Sequence, residues 1–99
     1  MTIDIQYQKM QESESLNTIL IRKLDKLAKK YEWIIKANVL FKLSNDKTGR
    51  DKICEIELSA PGPRIFAKSV MDDFEKALVE TVHDLDRQLQ KRQEQFKTY

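Results

Sequence analysis

The feature that most constrains the fold is a long amphipathic run in the last quarter of the chain. From Asp72 to about Gln95, no glycine or proline interrupts the sequence. At about 100° per residue, its apolar side chains share one side of a helix. They are Phe74, Leu78, Val82, Leu85 and Leu89, with Ala77 and Thr81 at the margin. Asp72 and Asp73 suit the positive end of such a helix as capping residues. The helix has one apolar stripe to bury, so the rest of the chain must supply a surface that receives it.

Four segments upstream of that helix alternate apolar and polar residues, a pattern typical of strands with one buried face. They are Ile3–Tyr7, Ile35–Leu43, Cys54–Leu58 and Ile65–Lys68. In the second segment, the alternation places Ile35 on the same inner face as Val39 and Phe41. Residues 44–51 and 61–63 are predicted turns, because the first range is polar and the second reads Pro-Gly-Pro.

A second amphipathic run lies between the first two strands. Its apolar residues repeat at helical spacing after a capping Ser13; they are Leu16, Leu20, Leu24, Leu27 and Tyr31. The predicted order of elements is therefore β-α-β-β-β-α. We expect an α+β fold, in which two helices pack on one face of a four-stranded sheet. This is the sandwich architecture of double-stranded-RNA-binding domains, and we expect residues 1–99 to form a single domain.

The last helix should also be longer than the sheet. It would measure about 36 Å at 1.5 Å per residue, against about 25 Å for strands of seven or eight residues. The predicted overrun contains Lys91, Arg92 and Lys97, and is therefore basic.

The composition is that of a soluble globular protein, with 40% hydrophobic and 34% charged residues. The longest uncharged runs are too short to cross a bilayer. Residues 1–5 alternate like a strand and lack the layout of a signal peptide. The single cysteine, Cys54, fits a reducing compartment. We therefore expect a cytoplasmic protein.

The net charge is only +2, but the basic residues are unevenly distributed. Residues 22–42 contain seven basic and two acidic side chains, and residues 87–99 contain four and one. The middle segment, residues 43–86, contains six basic and ten acidic ones. On the first helix, the basic residues avoid the apolar stripe: Arg22, Lys26 and Lys29 lie nearly opposite it, and Lys23 and Lys30 flank it. This asymmetry indicates either a polyanionic partner or a solubilising surface whose charges happen to cluster.

Residues that could support catalysis are scarce. His83 is the only histidine, and it projects from the exposed side of the last helix without an orienting partner or a walled pocket. Cys54 should point inward as a small core residue. Gly49 and Gly62 are the only glycines, so no glycine-rich loop can cradle a phosphate. We expect no enzyme, no cofactor and no metal site.

The basic clusters favour nucleic acid, because phosphate contacts release counterions and need no sequence reading. Aromatic residues can add base stacking: Tyr31 is better explained as core, whereas Trp33 and Phe66 fit either role. A double-stranded-RNA-binding domain typically has lysines at the start of its last helix. This chain has Asp72 and Asp73 there, which would repel phosphates. That function is therefore disfavoured.

Several short motifs add a more specific indication. Residues 73–74 (DF) and 85–91 (LDRQLQK) look like an Asp-Met-Tyr start and a Leu-x-Arg-Gln-Leu-x-Lys close. Residues 13–16 (SESL) look like the start of a first helix, and residues 23–27 (KLDKL) look like its central motif. Residues 65–67 (IFA) look like a last strand. In this order, over essentially the whole chain, they resemble the ribosome hibernation promoting factor family, also called ribosome-associated inhibitors or sigma-54 modulation proteins.

The resemblance implies a non-enzymatic protein that binds the small ribosomal subunit in the tRNA and mRNA channel during starvation or stationary phase. It assigns ribosomal-RNA contacts to Lys23, Lys26, Lys29, Arg87 and Lys91. Charge geometry adds Arg22, Lys30 and Arg92. The chain stops at Tyr99, where long members of the family continue into a C-terminal domain, so it resembles a short form.

Three positions depart from the family pattern and weaken the second basic patch: Glu75, Asp84 and Gln93. The alternative from another class is a protein-interaction module, which would dock a partner through the acidic middle segment or the exposed edge of the fourth strand. RNA binding should fall steeply with salt, whereas strand addition should not.

Overall fold

The computed structural model describes residues 1–44 and 51–96 and confirms the predicted order of elements. The elements are β1 (Thr2–Gln8), α1 (Glu14–Lys30), β2 (Lys36–Leu43), β3 (Lys52–Ser59), β4 (Ile65–Met71) and α2 (Phe74–Phe96). The strands form one sheet in the order β1-β2-β3-β4. β1 pairs with β2 in parallel, and the other neighbours are antiparallel. Most of the predicted polar turn, and Lys97 of the predicted overrun, lie outside the described residues.

Both helices pack on one face of the sheet, as predicted. The parallel pairing of β1 and β2 requires a crossover connection, and α1 supplies it. The Ser13 hydroxyl caps α1 by accepting a hydrogen bond from the N–H of Leu16 at 3.3 Å. The Tyr7 hydroxyl is within hydrogen-bond distance of two acceptors, the Ser13 carbonyl at 2.9 Å and Asn17 Oδ1 at 2.8 Å. The end of β1 is thereby attached to the start of α1.

The hydrophobic core lies between the helices and the sheet, and it differs from the prediction at Ile35. This side chain is 62% exposed, because β2 begins one residue later. The Ile35 backbone instead bridges two strands: its N–H donates to the Ser59 carbonyl at 2.8 Å, and its carbonyl accepts from the N–H of Thr2 at 3.2 Å. Its assignment to the inner face was wrong. The fourth strand is also longer than predicted and continues to Met71.

The buried side of α2 is rotated relative to the predicted stripe. Ala77 and Thr81, placed at the margin by the sequence, are fully buried, whereas Phe74 and Val82 are only half-buried. The Thr81 hydroxyl is within hydrogen-bond distance of two carbonyl oxygens, that of Ala77 at 2.8 Å and that of Cys54 at 3.3 Å. The small side chains at 77 and 81 therefore let α2 approach β3 closely.

The predicted basic overrun of α2 contacts other parts of the fold through Arg92 and Phe96. Arg92 Nη1 donates to the carbonyls of Pro61 and Pro63 at 3.1 and 2.7 Å, so the turn between β3 and β4 reaches this far along the helix. Beyond it, Phe96 packs edge-on against Trp33, with ring centroids 5.0 Å apart. Neither helix of the described residues has the length and apolar content needed to span a membrane.

Candidate nucleic-acid interface

α1 presents a basic surface on the side away from the core. Its buried residues all lie on the other side, at Leu16, Leu20, Leu24 and Leu27. Arg22, Lys26 and Lys29 are exposed, and Lys23 is half-buried. Within residues 1–44 and 51–96, none of these four cations forms an ion pair with an acidic side chain. They therefore remain available to an anionic partner.

Lys30 has a different environment, because it contacts α2. Its Nζ lies 3.1 Å from Asp86 Oδ1 and 3.2 Å from Oδ2. The Tyr31 hydroxyl donates to the same Asp86 Oδ1 at 2.6 Å. The Lys30 side chain is still 56% exposed. This predicted contact residue thus has an intramolecular partner that competes with any phosphate.

The three groups influence one another's protonation. Partial burial alone would raise the pKa of Asp86, but the hydrogen bonds from Tyr31 and Lys30 outweigh it and the pKa is lowered. Burial, and then the bond to Asp86, raise the pKa of Tyr31. The bond to Asp86 raises the pKa of Lys30. Near neutral pH the cluster is therefore a carboxylate with two donors.

On α2, Arg87 and Lys91 are exposed and lie one turn apart. They line a hollow of about 260 Å³ with Asp84 and Gln88. Arg87 Nη2 is 3.5 Å from Asp84 Oδ1, a long contact between largely exposed groups that contributes little. Gln88 donates to the Phe66 carbonyl at 2.9 Å, which places this hollow beside β4.

The two basic sets face away from the sheet but form two patches. Asp86 marks the side of α2 that meets α1, and Gln88 marks the side that meets β4. Arg87 and Lys91 lie about 100° and 140° around the helix from Asp86. Asp86 therefore lies at the junction of the helices, between the cations of α1 and those of α2. Arg92 does not join the second patch, because its guanidinium binds the carbonyls of the β3–β4 turn.

The aromatic candidates are divided between two faces. Tyr31 is 1% exposed and belongs to the core, as predicted. Trp33 is half-buried, contacts the Tyr31 and Phe96 rings, and donates from Nε1 to Gln93 at 3.4 Å. Phe66 is exposed on the face of the sheet opposite the helices. It cannot stack on a base that is held by the basic patches.

The two side chains considered for catalysis are His83 and Cys54. His83 is exposed on α2, as predicted. Cys54 points inward and is fully buried, and this burial raises the pKa of its thiol to about 12. The thiol therefore stays protonated and is a poor nucleophile. In the described part of the chain, no three histidine, cysteine or acidic side chains are grouped to hold a metal ion.

Sequence reasoning missed the role of Asp86, although this residue lies within the LDRQLQK motif. Its partner Tyr31 is 55 positions away, and no local pattern joins the two. Gln88 was missed for the same reason, because its partner is a backbone carbonyl of β4.

A family model described as sigma 54 modulation protein / S30EA ribosomal protein matches residues 3–97. The chain belongs to this family. The match confirms the resemblance that the motifs indicated. No curated protein sequence matches the chain at a significant level.

Two solved structures have a fold similar to that of this chain. One is a ribosomal subunit interface protein from Coxiella burnetii, with 25% identity and a TM-score of 0.84, covering 94% of this chain and 98% of its own. The other is the N-terminal domain of Protein Y from Thermus thermophilus, with 19% identity and a TM-score of 0.79, covering 92% and 98%. The second, at this identity, supports the fold alone.

Proposed function

We propose that this S30EA family member is a ribosome hibernation factor. It binds the small ribosomal subunit in the channel used by tRNA and mRNA and silences translation during starvation or stationary phase. It acts in the cytoplasm and without catalysis, as an obstacle that excludes tRNA and mRNA.

The observation that carries this proposal is the set of cations on the outer side of α1 that form no ion pair within the described part of the chain. Arg22, Lys26 and Lys29 are exposed on the side of the helix opposite its buried leucines. Phosphate contacts from such a surface position a protein without reading sequence. The name of the Coxiella burnetii structure, a ribosomal subunit interface protein, supports the ribosome as the source of that RNA.

The fold supports a role as a rigid obstacle. The principal extents of the described residues are 51 × 22 × 18 Å, so the molecule is elongated. Both helices are fixed to the sheet by buried leucines, and α2 is also held by Thr81, Gln88 and Arg92. Side chains on rigid elements keep their spacing when they meet RNA, which favours selectivity by fit.

The strand-edge alternative has less support. In β4, the carbonyl of Phe66 accepts a hydrogen bond from the Gln88 side chain. An added strand would have to displace this amide, since strand addition needs free backbone groups along the edge. The acidic middle segment does not form one docking surface. Glu55 and Glu57 lie on the sheet face opposite the helices, whereas Asp84 and Asp86 lie on α2 beside the basic residues.

The test is co-sedimentation with isolated small subunits at increasing salt. We expect binding at low salt that falls steeply as salt rises. The double variant Lys26→Glu with Lys29→Glu should weaken binding at least tenfold without changing cooperative unfolding, because both side chains face solvent.

The matched control reverses two lysines on the other face of the sheet. Lys36→Glu with Lys68→Glu changes the net charge by the same amount at exposed positions of β2 and β4. It should leave subunit binding within about twofold. Equal losses in the two double variants would show only a general charge effect and would contradict the proposal, as would no binding at low salt.

A further inference from the structure

β1 is an edge strand whose inner side is incompletely covered. Among the described strands, only β2 pairs with it. Its core-facing side chains, Ile3, Ile5 and Tyr7, are all half-buried. The other edge strand, β4, differs, because α2 packs on it and its core-facing side chains are buried. Apolar surface therefore stays open along the β1 edge.

The same edge presents backbone groups without partners. The Thr2 N–H donates to the Ile35 carbonyl, so the backbone of Thr2, and of every second residue after it, is directed toward β2. The N–H and C=O groups of Ile3, Ile5 and Tyr7 therefore point outward, and no hydrogen bond from the described ranges reaches them. The pairing with β2 runs through the whole of β1 without a bulge, and the strand contains no lysine or proline. It thus lacks the features that commonly block an edge.

α1 contributes an apolar flank above this edge. Asn17 Oδ1 lies 2.8 Å from the Tyr7 hydroxyl, which marks the side of α1 that meets β1. Ile21 follows one turn later and is 41% exposed, and Ala28, two turns further, is half-buried. Lys30, which meets α2, projects about 180° from Ile21 at 100° per residue. The apolar flank therefore faces away from α2.

Ile21 lies level with the middle of β1. α1 runs antiparallel to β1, because it connects two parallel strands. From the contact between Tyr7 and Asn17, two residues back along β1 span about 6.6 Å, and four residues forward along α1 span about 6 Å. Both steps end at the same level, at Ile5 in the strand and Ile21 in the helix. Ile5 is also the central residue of β1.

We propose that the free edge of β1 pairs with β1 of a second copy of this chain, antiparallel and about a two-fold axis at Ile5. The two sheets then form one continuous sheet, with the helices of both copies on the same face. The α1 helices lie antiparallel on either side of the seam, and Ile21 of each copy projects toward its counterpart above the Ile5 pair. Because the contact uses the same patch on both copies, it closes as a dimer.

Hydrogen bonding and charge in the strand suit this register. Ile5 pairs with Ile5 of the other copy, and Ile3 pairs with Tyr7, so the outward N–H and C=O groups bond to one another. Asp4, the only charged residue of β1, lies opposite Gln6 and not opposite another carboxylate. The half-buried side chains of the two strands meet on the helix side and continue the core across the seam.

The helix pair is compatible with the same axis. About Ile21, Asp25 comes level with Asn17 of the other copy, and the acidic first turn of each α1 comes level with the basic last turn of the other. Arg22 projects about 100° around the helix from Ile21, so the two guanidinium groups turn away from the axis. Like charges are therefore not brought together along the seam.

Other occupants fit the edge less well. RNA is disfavoured, because the side chains along the edge, Ile3, Ile5 and Ile21, offer phosphates no positive charge. A strand from another protein could bond to the backbone of β1. It would not need the exposed Ile21 to lie level with the centre of the strand, whereas a two-fold contact does.

Sedimentation equilibrium of the free chain at increasing concentration is the first test, and we expect a monomer–dimer equilibrium. Ile21→Asn should weaken the dimer at least tenfold, because it removes an apolar contact from both sides of the axis. Val79→Asn is the matched control. Val79 is 49% exposed on α2, away from the seam, and its replacement should change the dimer constant by less than about twofold.

Amide hydrogen exchange then identifies the contact. As the protein concentration rises, exchange should slow at Ile3, Ile5 and Tyr7, whose N–H groups point outward. It should not change at Asp4 and Gln6, whose N–H groups are directed toward β2. This alternation is specific to pairing along the free edge of β1.

A chain that stays monomeric at every attainable concentration would overturn the proposal. A dimer without the alternating protection, or equal losses in Ile21→Asn and Val79→Asn, would also overturn it. A monomer whose outward amides are protected only by an added valine-rich peptide would assign the edge to a strand of another protein, and the second copy would be the wrong occupant.

This inference does not rest on the proposed ribosomal function. Ile21→Asn leaves the net charge unchanged, so it should weaken the dimer and leave small-subunit binding within about twofold. An absence of subunit binding in a chain that still dimerises would contradict the proposed function alone.

Discussion

Asp86 determines how much of the basic surface is free. It lies where α1 and α2 meet, and its carboxylate accepts from the buried Tyr31 hydroxyl and from Lys30. The short bond to Tyr31 satisfies a polar group that would otherwise be buried without a partner. The same carboxylate reduces the positive charge that Lys30 can offer to a phosphate. Asp86 therefore contributes to stability and limits the surface proposed to bind RNA.

We expect Asp86→Asn to destabilise the fold in a pH-dependent way. The pKa of Asp86 is lowered in the folded state, so the charged form stabilises the fold above the unfolded pKa of about 4. This contribution disappears as the pH falls through the lowered folded-state value. At neutral pH the variant should lose about 1 kcal/mol, since the side chain is 33% exposed and the amide can still accept one bond. Urea unfolding at neutral pH and below pH of about 3 measures the difference, which should shrink in acid.

Asp84→Asn is the control for this prediction. Asp84 is on the same helix but is more exposed, and its contact with Arg87 is 3.5 Å long. Its neutralisation should change the unfolding free energy by less than about 0.5 kcal/mol at either pH. An equal, pH-independent loss in both variants would show that the Asp86 carboxylate has no special role.

At the scale of elements, α2 is fixed along its length by three different contacts. Thr81 bonds to β3, Gln88 bonds to β4, and Arg92 bonds to the turn between these strands. Along α2, the first contact reaches an inner strand, the second reaches the edge strand, and the third reaches the end of the sheet. This arrangement sets the rotation of α2, and hence the direction in which Arg87 and Lys91 project. The turn is part of the arrangement, because Gly62 lies directly under the Arg92 guanidinium.

Gly62→Ala should therefore destabilise the protein by about 1–2 kcal/mol. Gly62 has φ +98°, a conformation that costs an L-residue about this amount. An added Cβ would also lie 3.2 Å from Arg92 Nη1, so the guanidinium would have to move. Urea unfolding gives the total cost, and the same substitution in an Arg92→Ala background separates the two causes. Most of the cost should remain there, because backbone strain does not depend on Arg92. A cost that vanishes in that background would assign the effect to the side-chain contact alone.

At the scale of the whole molecule, local periodicity was sufficient to predict the order of elements. The leucine spacing of α1, the Ser13 cap and the alternation in β3 are properties of short segments, and each was confirmed. What could not be predicted depends on contacts between distant segments. Ile35 lies just before β2 and is exposed although its own segment alternates like a strand, and Thr81 is buried because α2 lies against β3. The pairing of Lys30 with Asp86 likewise spans 56 positions.

The candidate site shows the same division. Outward projection of Arg22, Lys26 and Lys29 followed from helical phase, and the structure agrees. Whether the two helices contribute equally could not follow from phase, because it depends on neighbours across the helix pair. α1 has four cations without an acidic partner among the described residues, whereas on α2 Arg87 contacts Asp84 and Arg92 binds backbone carbonyls.

This difference predicts unequal contributions to RNA affinity. Matched neutral pairs test it: Lys26→Gln with Lys29→Gln on α1, and Arg87→Gln with Lys91→Gln on α2. Each phosphate contact contributes roughly 0.7–0.9 to the slope of log affinity against log salt. The α1 pair should therefore lower the slope for small-subunit binding by about 1.4–1.8. The α2 pair should lower it by clearly less, since the Asp84 carboxylate lies 3.5 Å from the Arg87 guanidinium and competes with a phosphate for it.

Asp84→Asn provides the reciprocal measurement. If Asp84 weakens phosphate binding by the α2 patch, removing its charge should raise the affinity for the small subunit at low salt. Replacing Arg87 by Gln should then lower that affinity more in the Asp84→Asn variant than in the original chain. The slopes are measured by filter binding across a salt series, with unfolding curves to confirm that each variant is folded. Equal slopes for the two pairs, together with no gain in Asp84→Asn, would mean that both helices meet phosphates equally and that the acidic neighbours are displaced on binding. A larger loss from the α2 pair would transfer the principal RNA contact to the patch beside β4, and the α1 surface would then serve mainly to keep the protein soluble.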